Sequence, residues 1–192
     1  MSATNARITP FRRLATAAVA VLVALGMAAC SGGAGSSSSS GSQVGDRSPE
    51  QIKEAGEIVI GIFSDKAPFG YIDANGKPAG YDVVYGDRIA ADLGVTAKYV
   101  PVDAAARTEV LASNKVDITL ANFTVTPERA EKVDFANPYF KVSLGVVSPT
   151  SAEITDVSQL AGKTLIVTKG TTAEAYFEAN HPEIKLQKYD QY

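Results

Sequence analysis

From Ile58 onward the apolar residues of the chain fall into two rhythms, a compact β-branched one and a helical one. Ile58, Val59, Ile60 and Ile62 form a short run before Ser64 and Asp65, which predicts a buried strand. Ahead of it stand Ser48, Pro49 and Gln51. They supply an N-cap, a first-position proline and an N3 amide, so a short capped helix is expected through Glu54. The stretch Asp73-Ala74-Asn75-Gly76-Lys77 is a turn or hairpin signal. After Gly80, the residues Val83, Gly86, Ile89, Ala90 and Leu93 share one helical face and Gly94 ends it. Gly86 inside that helix is expected to cost about 1 kcal/mol relative to Ala. Tyr99 to Val102 reads as a second strand, Ala104 to Ala112 as a helix and Val116 to Leu120 as a third strand.

The same cadence resumes further on. Ser143 to Val147 is an extended apolar run closed by Pro149, and Asp156 to Leu160 reads as a short helix. The turn at Ala161-Gly162-Lys163 leads into a strand from Thr164 to Thr168. A helix from Thr172 to Asn180 and a strand from Ile184 to Leu186 follow. Strands separated by helices predict an α/β layer with a mostly parallel sheet. Such sheets bind ligands beyond the carboxyl ends of their strands, which directs attention to Phe63–Tyr71 and Ala121–Arg129. The second unit, starting near residue 148, holds two strands and one full helix. That is too little for a core of its own, so the chain is expected to be part of a longer protein.

The first 47 residues follow other rules. Arg7, Arg12 and Arg13 precede a mostly apolar, uncharged run from Leu14 to Ala29, the pattern of an export signal rather than of a membrane-spanning helix, which needs roughly 20 residues. Cys30, the one cysteine of the chain, stands directly after it. Residues 31–45 (SGGAGSSSSSGSQVG) hold seven Ser and five Gly and are expected to form a flexible tether reaching about 20 to 25 Å. Among the 192 residues are 18 Lys+Arg, 21 Asp+Glu and one His, for a net charge of -3. Without residues 1–29 the balance is 15 against 21. This slightly acidic chain lacks a basic cluster, so no nucleic-acid partner is expected. A single cysteine excludes an intramolecular disulfide and a multi-cysteine metal site.

Four stretches together carry a family likeness: residues 61–71 (GIFSDKAPFGY), 121–129 (ANFTVTPER), 133–139 (VDFANPY) and 168–174 (TKGTTAE). Residues 56–192 resemble the extracytoplasmic polar amino-acid-binding proteins of ATP-binding-cassette importers, with most likeness to lipoproteins that bind cysteine. The resemblance implies a periplasmic-binding-protein-like, two-lobed α/β fold enclosing the amino acid. Lobe 1 with the first crossover is expected at 48–147. The start of an incomplete lobe 2 is expected at 148–192, with roughly 80 to 100 further residues in members of this size class. Residues 1–29 then resemble a lipoprotein signal peptide and Cys30 the lipid-bearing first residue of the mature protein. Such an anchor holds the domain at the extracytoplasmic face of the cell membrane, beside the membrane permease that receives the amino acid. No cofactor is implied.

An enclosed amino acid needs partners for its carboxylate, ammonium and side chain. Arg129 matches the family arginine that clamps the carboxylate with its planar fork. Thr124 matches a hydroxyl donor, with further bonds expected from the backbone around Asn122. Gly170 permits close backbone approach, and Thr171 and Thr172 at a helix start offer amides and hydroxyls to an anion. Thr171 equally reads as a plain N-cap. Arg107 lies in a stretch similar to one that faces the ligand in the cysteine-binding subgroup. Phe69 and Tyr71 are expected either to wall the apolar part of the ligand or to be ordinary core. Lys66 stands where many relatives carry an aromatic residue. With Arg107, its ammonium favours an acidic ligand side chain, which keeps glutamate and aspartate beside cysteine.

No catalytic set and no metal-ligating set emerges from the sequence. His181, followed by Pro182 near a helix end, reads as a solvated residue. Lys169-Gly170-Thr171 lacks the glycine pattern of a phosphate loop. Beside the binding lipoprotein stand two further readings: an enzyme of the same fold, such as a cyclohexadienyl dehydratase, and a surface adhesin or sensor module.

Overall fold

The computed structural model describes residues 44–192; the export signal at 1–29, Cys30 and the tether through residue 43 lie outside the described residues. Helix α1 (Pro49–Ala55) begins with the capping box expected of Ser48 and Gln51. Strand β1 (Glu57–Ile62) follows. A small antiparallel sheet comes next, made by β2 (Asp65–Lys66), β3 (Gly70–Ile72) and β4 (Pro78–Ala79). Its β3–β4 turn is closed by Asp73, whose carboxylate accepts from the amides of Asn75 and Lys77. Helix α2 (Tyr81–Leu93), ended by left-handed Gly94, leads to β5 (Thr96–Pro101), and α3 (Arg107–Ala112) to β6 (Ile118–Leu120). The parallel order is β5-β1-β6, with Ile60 opposite both Tyr99 and Ile118.

Burial explains why β1 is the centre. Five of its six residues are buried, since it has a partner on each edge and cover on both faces. Ile58, Ile60 and Ile62 pack with Ile52, Val83, Ala90 and Leu120. Gly86, read from sequence as a weak point of α2, is where that helix comes nearest the sheet. A Cβ there would lie 2.8 Å from the Tyr99 hydroxyl and 3.1 Å from Ile60 Cδ1. Tight helix–sheet packing therefore outweighs the helix propensity lost.

The fold begins earlier than its first capped helix. Gly45 (φ 90°) sits so close to Asn114 that a Cβ would come within 2.5 Å of the Asn114 Cα. Arg47 donates from Nε to Asp117 Oδ1 at 2.9 Å, and that oxygen also accepts from Gly45 N at 3.0 Å. Asp117 Oδ2 accepts from Arg47 and from the Val59 amide, the latter at 2.7 Å. The last residues read as tether or linker are thus folded onto β1 and β6. The guanidinium and the two amides hold the Asp117 carboxyl below its usual range against the opposing effect of burial.

After β6 come the short α4 (Pro127–Ala130) and a segment without regular secondary structure through Pro149. The apolar run at 143–147 forms no strand among the described residues, and Leu144 and Val147 are exposed. Two 3-10 turns, Thr150–Ala152 and Val157–Leu160, precede β7 (Thr164–Thr168), α5 (Thr172–Asn180) and β8 (Lys185–Tyr189). Strands β7 and β8 pair in parallel. Their cover is a small cluster of Leu160, Phe177 and Ile184.

Candidate functional site

A cavity of about 520 Å³ lies where the β1 and β6 loops face β7 and the first turn of α5. Lys66, Phe69, Arg107, Asn122, Thr124, Arg129, Thr171 and Thr172 all line it. Gly170 adjoins it through its carbonyl. Tyr71 does not line it: it lies in the middle of β3, opposite Asp65 and Ala79, in the hairpin sheet. A larger hollow of about 790 Å³ runs beside β6 beneath residues 133–142 and is chiefly apolar.

Asn122 places the cations. Its left-handed backbone (φ 46°), a conformation asparagine tolerates, turns the chain sharply after β6. The carbonyls of Ala121 and Asn122 then face Arg107, each accepting from Nη1 at 3.0 Å. Arg107 also donates from Nε to Ala104 O and from Nη2 to Gly170 O, both at 2.8 Å. With 3% exposure and four carbonyl partners, this guanidinium lines the cavity but is fixed by backbone acceptors. Burial, and then Arg129 nearby, lower its pKa to about 10.

Arg129 rides on α4, whose N-cap Thr126 accepts from the Arg129 amide. Its Nη1 donates to Thr124 O at 2.6 Å and its Nη2 to Gly170 O at 2.9 Å. Two of five donor hydrogens are so engaged, and Nε has no partner among the described residues. The Thr124 hydroxyl is likewise unbonded there. One carbonyl, Gly170 O, thus accepts from two guanidinium groups. Gly170 is confined by its surroundings as well: a Cβ would lie 2.4 Å from Ala105 Cα, and its φ is +71°.

On the α5 side, the Thr171 hydroxyl accepts from the Glu174 amide and donates to Thr168 O, so it caps the helix. The Gly170 amide is taken by Glu174 Oε2 at 2.7 Å. That leaves the Thr172 hydroxyl and the amides of Thr171, Thr172 and Ala173 without partners among the described residues, at the positive end of the helix. The expected bonding from backbone near Asn122 is largely committed within the chain, to Arg107. Phe69 packs edge-on against Phe140, with ring centroids 5.4 Å apart.

Lys66 completes the wall, and buried Asp82 lies behind it, lining the larger hollow instead. Lys66 Nζ lies 3.7 Å from the Tyr192 ring centroid and makes a long 3.4 Å contact with Asn122 Oδ1. Burial first, then Arg107, push its pKa down to about 8. Asp82, unremarked in sequence as a chemical group, is fully buried. Its Oδ1 accepts from the Tyr139 hydroxyl at 2.9 Å and its Oδ2 has no hydrogen-bond partner. Burial pushes this carboxyl up to about 6, against the Tyr139 hydroxyl, the Asn122 amide and Lys66. Its position after Gly80-Tyr81 at a helix start was a legible signal. Among the described residues no group of His, Cys, Asp and Glu could hold a metal ion.

Residues 58–189 match the bacterial extracellular solute-binding proteins, family 3. The chain belongs to that family. The solute receptors for L-cysteine of Neisseria gonorrhoeae are 56% identical, with a TM-score of 0.73, covering 76% of this chain and 60% of theirs. The cysteine-binding protein from Campylobacter jejuni is 53% identical, with a TM-score of 0.72, covering 74% and 59%. The L-cystine-binding protein TcyJ of Escherichia coli (strain K12) is 28% identical over 142 residues, 73% of this chain and 53% of that protein. The chain therefore spans about half the length of the curated relatives it matches. The ancestral amino acid-binding protein AncCDT-1, a precursor of cyclohexadienyl dehydratase, is 29% identical with a TM-score of 0.68, covering 74% of this chain and 65% of its own. The α/β periplasmic-binding-protein-like fold expected from sequence is that of these neighbours.

Proposed function

We propose that the chain belongs to the substrate-binding lipoprotein of an ATP-binding-cassette importer. It captures a free polar amino acid, cysteine or else glutamate or aspartate, and delivers it to the membrane permease. One observation carries this reading: Arg129, Thr124 and the amide-bearing start of α5 converge on a single cavity from the two α/β units. An α-carboxylate seated there meets the free Nε of Arg129 from one side and the helix N-terminus from the other. The cysteine-binding neighbours support the same ligand class. Cys30 carries the lipid anchor in this reading, and the Ser/Gly tether lets the domain work close to the extracytoplasmic face of the cell membrane. Capture and release follow from opening and closing of the two units about their connection.

A dehydratase of this fold needs a positioned acid in the cleft. The relatives matched by this chain are binding proteins, and that supports binding over catalysis.

The test is calorimetric titration of L-cysteine, L-glutamate, L-aspartate, L-glutamine and L-histidine into the full-length protein. One of the first three is expected to bind most tightly, and Arg129→Ala to weaken it by more than tenfold. An unchanged Kd in that variant sinks the role given to Arg129. For the anchor, Cys30→Ser is expected to move the protein from the membrane fraction to the soluble one.

A further inference from the structure

Three cations gather on the cavity wall with aromatic rings between neighbours. The Phe63 ring centroid lies 5.5 Å from Lys66 Nζ and 5.4 Å from Arg107 Cζ. The Phe123 centroid lies 4.6 Å from Arg107 Cζ and 4.8 Å from Arg129 Cζ. Lys66 and Arg107 therefore share the Phe63 ring, and Arg107 and Arg129 share the Phe123 ring. Phe63 is fully buried, which fixes the spacing between Lys66 and Arg107.

The three differ in what they can still bond. Arg107 has four carbonyl partners and contributes mainly charge. Arg129 retains Nε and the second hydrogens of both Nη atoms. Lys66 has three N–H donors, a single 3.4 Å acceptor and half-burial. The charged groups that act on it are Asp65 in β2, Asp82 in α2 and Arg107 in α3, with the Tyr192 ring against its ammonium. Four lining residues are Lys or Arg, counting exposed Lys141, and none of the described lining residues is acidic. A zwitterion with a neutral side chain, clamped at Arg129, leaves Lys66 without an anion.

We propose that Lys66 is a specificity-determining residue that selects amino acids bound with a negatively charged side chain, the α-carboxylate at Arg129 and the side-chain anion at Lys66. The proposal rests on the amino-acid-binding reading above and names the ligand form within it. For aspartate and glutamate the anion is present already. For cysteine the S–H bond ionises on binding: the electron pair stays on sulfur, the proton passes to the buffer, and no bond to the protein forms. A free thiol is only about 3% thiolate at pH 7, so the bound and free forms differ by a proton. That proton is measurable.

The experiment is titration at pH 7 of the full-length protein in phosphate and in Tris, whose ionisation enthalpies differ. The probes are L-cysteine, L-aspartate, L-glutamate, L-serine, L-2-aminobutyrate and L-glutamine. Either cysteine, with close to one proton released, or an acidic amino acid, with none, is expected to bind at least about 30-fold tighter than the three neutral probes. Lys66→Met is expected to cut that preference at least tenfold while leaving the neutral probes within threefold, and Lys66→Arg to restore it. A melting curve for each variant separates this from misfolding. Cysteine binding without proton release, neutral probes within threefold of the anionic ones, or an unaltered preference in Lys66→Met would each overturn the role of Lys66 alone. No binding of any probe to the unaltered protein would overturn the amino-acid-binding reading itself.

Discussion

The two α/β units share a strand, helix, strand plan and differ in how far burial has proceeded. In the first, β1 is flanked by β5 and β6, and five of its six residues are buried. In the second, β7 has one partner, only Val167 of its five residues is buried, and Ile166 remains 69% exposed. Parallel strands gain stability from cover on both faces, and within residues 44–192 only the first unit has it; the chain spans about half the length of its curated relatives. Between them the Gly170 backbone lies against Ala104 and Ala105, two arginines reach one carbonyl, and Tyr192 reaches Asp65 through its amide and Phe63 and Lys66 through its ring.

This contrast can be broken at its strongest point first. Asp117→Ala leaves buried Arg47 unpaired and frees the Gly45 and Val59 amides. It is expected to destabilise the protein by about 3 to 5 kcal/mol in urea unfolding. Phe177→Ala removes the centre of the small second cluster. About 3 kcal/mol is expected there, read by hydrogen exchange as lost protection in α5 and β8 with protection of β1 retained. Equal loss in both units would show a single cooperative body instead. Gly86→Ala, favourable for an isolated helix, is expected to cost about 1 to 3 kcal/mol because its Cβ meets Tyr99.

A smaller effect tests Asp82. Its carboxyl titrates near pH 6 when folded and near 3.9 when unfolded. Between those values the folded state binds more protons, so stability falls as pH rises from about 4 to 6. In Asp82→Asn that fall is expected to disappear, with melting temperatures flat across the same window. Smallest of all, Arg88→Ala removes an exposed pair with Asp92 and is expected to shift Tm by less than about 2 °C.

What could be read from sequence follows from the range of the forces involved. Helix caps, glycine stops and β-branched runs act over a few residues, and so α1, α2, β1, β7 and α5 emerge near their observed bounds. The capping box at Ser48 and the turn at Asp73 are of this kind. Arg129, Thr124, Thr171 and Thr172 came to one cavity because short motifs hold them at strand ends and helix starts. Other features depend on residues far apart. Arg47 meets Asp117 across 70 positions, and no periodicity marks that pairing. Arg107 lines the cavity as read, but the four carbonyls from three loops that hold it are not legible in the sequence. The aromatic spacers Phe63 and Phe123 lie in quoted motifs, but their alternation with the cations exists only in space. Of the two readings open for Tyr71, the cavity-wall one is not met, because the hairpin pairs it with Asp65 and Ala79. The apolar run at 143–147 carries a strand pattern with no ladder partner among the described residues.

The parallel order of the first sheet also sets a timetable. Ile60 lies 39 positions before Tyr99 and 58 before Ile118, its two neighbours in the ladder. During synthesis at about 5 to 20 residues per second, β1 therefore waits roughly 3 to 12 s for its second edge. Throughout that interval an uncharged run of Ile, Val, Ile, Gly and Ile has no finished sheet to enter and stays open to non-native contacts.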